Sequence, residues 1–132
     1  MREGRGETHG GLKVTINVPR STVNRGASLS VQLAVVNEGR RDVAVRFTSS
    51  QRFDLVVKDL SGRQIIKWSD NMVFAQLIKD MRLEQGGRIE GELVWEANVA
   101  PGNYTIFGST PRMLVEGRPI ILESPAIIVQ VR

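Results

Sequence analysis

The chain has 132 residues, a formal net charge of +4 at pH 7 and no cysteine. This length suits one domain with a single hydrophobic core. Without cysteine, disulfide bonds, thiolate nucleophiles and zinc–thiolate sites are excluded.

The N-terminal residues 1–11, MREGRGETHGG, are polar, charged and rich in glycine. We expect a disordered tail here, followed by one folded domain over 12–132. The tail lacks the apolar stretch of a signal peptide, and no apolar run approaches the roughly 20 residues that span a bilayer. We therefore expect a soluble cytoplasmic protein without a membrane partner, exported only if a signal precedes this sequence.

From Leu12 onward, apolar and polar residues alternate with the period of two that is typical of half-buried β-strands. The stretch 72–83 also fits a helical spacing, but its position between strands favours a loop followed by a strand. Eight or nine short strands without a long helix predict an all-β fold, an immunoglobulin-like antiparallel β-sandwich with Greek-key connections. The clearest predicted strands are 12–18, 29–35, 43–47, 53–59, 63–68, 88–96, 105–109 and 126–131.

Four residues are predicted to have structural roles. Pro101-Gly-Asn-Tyr104 has the pattern of a tyrosine corner, in which Gly102 helps to turn the chain and Tyr104 begins a strand. Trp68 and Trp95 are the largest side chains of the predicted core, and we expect one of their indole N–H groups to reach a hydrogen-bond partner.

No set of residues suggests catalysis, a cofactor or a metal site. The one histidine, His9, lies in the predicted tail, so no positioned imidazole is expected for a catalytic triad or a metal. Glu90, Glu92 and Glu96 alternate with core residues, as solvent-facing charges do. Asp70 lacks a spaced set of further calcium ligands. We therefore predict that the protein is not an enzyme.

Nucleic-acid binding is also not expected, although the calculated pI is near 10.1. The basic residues are interspersed with acidic ones, and the few aromatic residues fall mostly at predicted core positions. Proteins that bind single strands instead expose aromatic side chains between basic ones. The basic residues are better interpreted as a solvated surface.

The middle of the chain resembles the family of BsuPI-type intracellular proteinase inhibitors of bacteria. The elements that carry this resemblance are Phe47, Gln51-Arg-Phe-Asp54, Gly62, Trp68-Ser69, Met72-Val-Phe-Ala-Gln76, Gly86-Gly87, Trp95 and Pro101-Gly-Asn-Tyr104. Two positions depart from the family pattern, Ser50 where it has a glycine and Ile66 where it has a tryptophan. The resemblance implies an immunoglobulin-like sandwich and inhibition of a subtilisin-like intracellular serine protease.

Two classes of function are compatible with this sequence. The first is a proteinase inhibitor that occupies the active-site cleft of a subtilisin-like protease. The second is a protein-protein interaction module without inhibitory activity, such as an accessory domain of a larger assembly. Both have a protein as the partner, and neither the identity of the partner nor the oligomeric state follows from the sequence.

The candidate partner-binding residues are Met113, Leu114 and Val115, with Met72 as a competing site. The first three lie in the segment 111–119, which is bracketed by prolines and interrupts the strand pattern. Such a loop would present an apolar anchor in an extended conformation. The alternative is that these three residues extend a hairpin strand and pack on the core. Met72 belongs to the competing surface Trp68–Phe74, whose Ser69-Asp-Asn71 turn would expose it, and this surface lies inside the region of the resemblance.

Overall fold

The structure, a computed structural model, describes residues 2–5 and 9–132. The regular secondary structure of the described residues is β-strand, apart from one short 3-10 helix at Trp68–Asn71. The strands, in chain order, are β1 Arg2–Arg5, β2 Leu12–Val18, β3 Thr22–Val23, β4 Ser28–Asn37, β5 Val43–Phe47, β6 Asp54–Asp59, β7 Gln64–Lys67, β8 Lys79–Leu83, β9 Arg88–Glu96, β10 Gly102–Ser109, β11 Met113–Val115, β12 Arg118–Ile120 and β13 Ile127–Val131.

These strands form three sheets, with the strand orders β1-β2-β4-β9, β3-β13-β10-β6-β7 and β12-β11-β5-β8. The pairings are antiparallel apart from the short β3–β13 pair. Non-consecutive strands lie side by side, as Greek-key connections require. The predicted immunoglobulin-like β-sandwich is therefore confirmed.

The core lies between the sheets because one side chain in two points inward along each strand. In β4, Leu29, Val31, Leu33 and Val35 are buried, and β2 contributes its own buried alternate residues. The first and second sheets approach closely at Gly108 of β10, where a Cβ atom would overlap the side chain of Leu33. Glycine at this position thus permits the close packing of the two sheets.

The stretch 72–83 is a loop followed by a strand, as predicted, since residues 72–78 have no regular secondary structure and β8 follows. The hairpin of β6 and β7 is also confirmed, and its register shifts between Val57 and Lys58. The structure adds the short strands β3 and β12, which the sequence pattern did not predict, and β11, which was predicted only as the alternative to a binding loop.

The N-terminal region differs from the predicted disordered tail. Arg2–Arg5 pair with β2 in antiparallel register, from Arg2 opposite Val18 to Arg5 opposite Thr15. His9 and Leu12 exchange backbone hydrogen bonds of 2.7 and 2.9 Å around Gly10-Gly11, whose φ values are +57° and +85°. Two glycines with positive φ are the residues that a tight hairpin turn favours. Residues 1 and 6–8, which belong to the same prediction, lie outside the described residues.

Candidate functional site

The most exposed apolar stretch of the described chain is Met72–Ile78, called the apolar segment below. It contains no charged residue. Val73 is 100% exposed, and Leu77 and Ile78 are more than half exposed. Several large apolar side chains in one continuous exposed stretch are typical of an interaction site rather than of ordinary surface.

The apolar segment is held at its N-terminal side by the 3-10 helix. The backbone N–H of Met72 donates to the carbonyl of Ser69 at 3.0 Å, and Met72 itself is extended, with φ −110° and ψ 149°. Ser69 is in turn bound to Asp54, a buried residue at the start of β6. Its hydroxyl donates to Oδ2 of Asp54 at 2.5 Å and its backbone N–H to Oδ1 at 3.0 Å. The segment therefore starts from a fixed point on the sandwich.

A second anchor lies within the apolar segment, at Ala75. The N–H of Ala75 donates to Oγ of Ser50 at 3.0 Å, and its carbonyl accepts from the N–H of Ser50 at 2.9 Å. Phe74, the neighbouring residue, turns inward and packs on Trp68 with ring centroids 6.1 Å apart. These contacts leave Val73 projecting between two anchored points.

The loop that carries Ser50 is itself ordered by local contacts. Arg52 donates to the carbonyl of Ser49 at 2.8 Å and lies over the ring of Phe47, 4.2 Å from its centroid. Gln51 donates from its side chain to the carbonyl of Phe53 at 3.1 Å. These contacts restrict the conformational freedom of the loop in the unbound protein, so less ordering is needed when a partner binds.

An ion pair follows the apolar segment on β8. Arg46 of β5 donates to both carboxylate oxygens of Asp80, at 2.6 and 3.0 Å. The hydrogen bond from Arg46, together with its positive charge, lowers the pKa of Asp80 below its usual value, and the pKa of Arg46 is raised in return. Both side chains are exposed, so the pair adds little stability. The pair lies just beyond the C-terminal end of the apolar segment, because Asp80 follows Ile78 by two residues.

The segment 111–119 does not form the extended binding loop that the sequence suggested. Met113 and Val115 lie in β11 and are 1% and 7% exposed, while Leu114 between them is half-buried. β11 pairs with β12 and with β5, so the segment is a hairpin that belongs to the third sheet. The alternative of a hairpin strand packed on the core is thus correct, and Met113 and Val115 have no surface to offer a partner. Met72, by contrast, is 44% exposed.

The predicted structural residues take up the expected places, with one exception. The hydroxyl of Tyr104 donates to the carbonyl of Ala100 at 2.5 Å, which is the contact of a tyrosine corner. Gly102 begins β10 with φ +154°, which residues with a side chain rarely adopt. Trp95 is a core residue, but its indole N–H is buried without a hydrogen-bond partner. Trp68 is half-buried against the core and serves as the platform for Phe74.

Sequence reasoning missed Leu77 and Ile78, and it included Val73 only as a member of the competing surface 68–74, in which it singled out Met72. The signal was the run Met72-Val-Phe followed by Leu77-Ile, in which apolar residues stand next to each other without the period of two. It also missed Ser50, because no local pattern links it to Ala75 across 25 residues.

The described residues do not bring three or more histidine, cysteine or acidic side chains together in a group able to hold a metal ion. Glu90, Glu92 and Glu96 point to solvent from β9. Among residues 2–5 and 9–132, no helix is long and apolar enough to cross a membrane.

Solved structures with similar folds support the sandwich architecture. The CARDB domain of the PF1109 protein from Pyrococcus furiosus superposes with a TM-score of 0.55 at 16% identity, covering 92% of this chain and 87% of that one. The sporulation control protein Spo0M from Bacillus subtilis superposes with a TM-score of 0.57 at 10% identity, covering 94% of this chain and 50% of that one. The C-terminal domain of wzt superposes with a TM-score of 0.55 at 17% identity, covering 98% of this chain and 78% of that one. At these identities the likeness concerns the fold alone.

A comparison with curated proteins gives no match. The family model described as "BsuPI: Intracellular proteinase inhibitor" matches residues 16–111. This range covers well over half of the chain and includes the whole apolar segment, together with both of its anchors. The chain therefore belongs to the BsuPI family of intracellular proteinase inhibitors.

Proposed function

We propose that this protein inhibits a subtilisin-like serine protease by placing the apolar segment in the active-site cleft. One observation carries the proposal: an exposed, uncharged segment is anchored at both sides of a fully exposed residue, Val73, on a rigid sandwich. Clefts of this protease class bind substrate as an extended strand and favour large apolar side chains. The description of the family supports inhibition of a proteinase, and its word "intracellular" favours action in the cytoplasm.

Preorganisation makes such a segment an inhibitor rather than merely a binding surface. A free peptide loses backbone freedom when it enters a cleft, and this loss weakens its binding. The N–H groups of Met72 and Ala75 donate to Ser69 and Ser50, and the Ala75 carbonyl accepts from Ser50, so the segment is already fixed in the unbound protein. The cost of ordering is thereby reduced, and binding tightens.

The proposal is tested by titrating a subtilisin-like serine protease with the purified protein and measuring residual activity. We expect stoichiometric loss of activity with the native chain. Leu77→Asp should weaken inhibition at least about 30-fold, since a charge would enter an apolar cleft. Leu60→Asp is the matched control, because Leu60 is 66% exposed but lies in the turn between β6 and β7. It should inhibit like the native protein.

Two results would contradict the proposal. Slow digestion of the native protein without inhibition would support an interaction module that is not an inhibitor. Equal inhibition by Leu77→Asp and Leu60→Asp would show that another surface binds the protease. Circular dichroism of both variants establishes that neither substitution has changed the fold.

A further inference from the structure

We infer that the protease cuts the Val73–Phe74 peptide bond slowly and that the cut protein remains an inhibitor. This inference rests on the proposed function and concerns the fate of the same segment. Val73 is 100% exposed, whereas Phe74 is turned inward against Trp68. A protease binds the exposed side chain before the scissile bond in its specificity pocket, so Val73 is placed there and Phe74 becomes the leaving group. The target is then an endopeptidase of this class whose pocket also accepts valine, which is smaller than the large apolar side chains that the class favours.

The chemistry of the cut explains why it is slow. The serine Oγ of the protease attacks the Val73 carbonyl, the bond to the Phe74 nitrogen breaks, and that nitrogen takes a proton and becomes an amine. Water must then replace the amine and hydrolyse the acyl-enzyme, releasing the Val73 carboxylate. Here the amine stays close, because Phe74 packs on Trp68 and Ala75 is bound twice to Ser50. A held amine re-attacks the ester and restores the peptide bond, since its effective concentration is high.

The fold explains why a cut chain stays together. A break after Val73 separates β1–β7 from β8–β13, and the strongest strand pairings join the two pieces. β4 pairs with β9 over nine residue pairs, and β6 with β10 over six. β5 likewise pairs with both β8 and β11. The two fragments are therefore interleaved in all three sheets, and both ends of the cut remain anchored near their original positions.

The experiment is prolonged incubation of the protein with a catalytic amount of a subtilisin-like protease. Mass spectrometry under denaturing conditions should show two fragments, one ending at Val73 and one beginning at Phe74, with a combined gain of one water. Size exclusion under native conditions should show one species of unchanged size. The purified cut form should inhibit fresh protease within about threefold of the intact form, because its contact residues are still in place.

The anchoring is tested separately through the hydroxyl of Ser50. Ser50→Ala removes the acceptor for the Ala75 N–H, and we expect hydrolysis to accelerate about two- to tenfold, the equivalent of one hydrogen bond. Ser50→Thr retains a hydroxyl and should restore the native rate. Ser61→Ala, which removes a serine hydroxyl in the distant turn after β6, should leave the rate unchanged.

The outcomes separate this inference from the proposed function. Inhibition with a cut at another bond, or a cut form that no longer inhibits, would overturn the inference and leave the inhibitor in place. A native rate of hydrolysis in Ser50→Ala would overturn the role of the anchor at Ala75. Rapid digestion without any inhibition would overturn both.

Discussion

The hydroxyl of Ser69 donates a 2.5 Å hydrogen bond to the carboxylate of Asp54, a residue that is 5% exposed. The same carboxylate accepts from the backbone N–H groups of Ser69 and Leu55, at 3.0 and 2.9 Å. Two short sequence elements, Gln-x-Phe-Asp and Trp-Ser, are thus one structural unit, and this unit fixes the start of the apolar segment. A buried carboxylate with several hydrogen bonds is a precise anchor, since any displacement leaves polar groups unpaired.

We predict that Asp54→Ala will destabilise the protein by about 1–3 kcal/mol, because it leaves backbone N–H groups without an acceptor in a buried site. Inhibition should weaken as well, because Ser69 loses the carboxylate that fixes it and the start of the apolar segment is then no longer held in place. Urea denaturation measures the first effect and protease titration the second. Asp70→Ala, an exposed residue of the same 3-10 helix, is the control and should change neither. Equal stability of the two variants would contradict the anchoring role of Asp54.

Tyr104→Phe removes only the hydroxyl that binds the Ala100 carbonyl. We expect a loss of about 0.5–1.5 kcal/mol in the free energy of unfolding, the range for one hydrogen bond. Inhibition should not change, because the tyrosine corner contributes nothing to the contacts that anchor the apolar segment. Denaturation with an unchanged m-value checks the first statement. Native stability in this variant would show that the corner contact is not stabilising.

Asp59 gives the β6–β7 turn a dependence on pH. Its pKa is lowered, first by the hydrogen bond from the Ser61 hydroxyl and then by that from the Arg63 backbone. Because the pKa is lower in the folded state, the stabilisation is complete above the unfolded-state value and is lost as the pH falls through the folded one. The native protein should therefore lose more stability below about pH 4 than Asp59→Asn does. Thermal unfolding of both proteins across this pH range measures the loss of stability. An equal loss in the native protein and in Asp59→Asn would contradict the prediction.

Met113→Asp and Met72→Asp make the same substitution at a buried and an exposed site. Met113 is 1% exposed, so a carboxylate there should prevent folding or destabilise it by at least about 3 kcal/mol. Met72→Asp should leave the melting temperature nearly unchanged and weaken inhibition. If Met113→Asp folds normally and loses inhibition, the β11–β12 hairpin is the binding site and the apolar segment is not.

The sandwich could be predicted from the sequence because apolar and polar residues alternate with a period of two wherever one face of a strand is buried. The same alternation placed Trp95 correctly, since Trp95 falls on an inward position, whereas Tyr104 was predicted from the local Pro-Gly-Asn-Tyr pattern. The N-terminal strand was missed because Arg2–Arg5 contain no apolar residue, so their pairing with β2 leaves no periodic signal. The Gly10-Gly11 turn was the only local indication of a hairpin.

The candidate site could be predicted only in part. Met113–Val115 and Met72–Phe74 are similar short apolar runs, and composition does not distinguish a run that packs inward from one that stays outside. The difference arises from long-range contacts. β5 and β12 pair with the first run, while in the second run Phe74 packs on Trp68, Ala75 after it is bound to Ser50, and Val73 stays exposed. Hydrogen bonds between residues far apart in the chain have no counterpart in local sequence patterns.

The central claim is that the apolar segment occupies the active-site cleft of a protease. It is tested most directly by measuring binding to a subtilisin-like protease whose cleft is first filled by a covalent peptidyl inhibitor. Calorimetry with the open protease serves as the reference, and Leu60→Asp confirms that an unrelated surface change has no effect. We predict tight binding to the open enzyme and none to the blocked one. Equal affinity for both enzymes would show that the protein binds outside the cleft and would contradict the account.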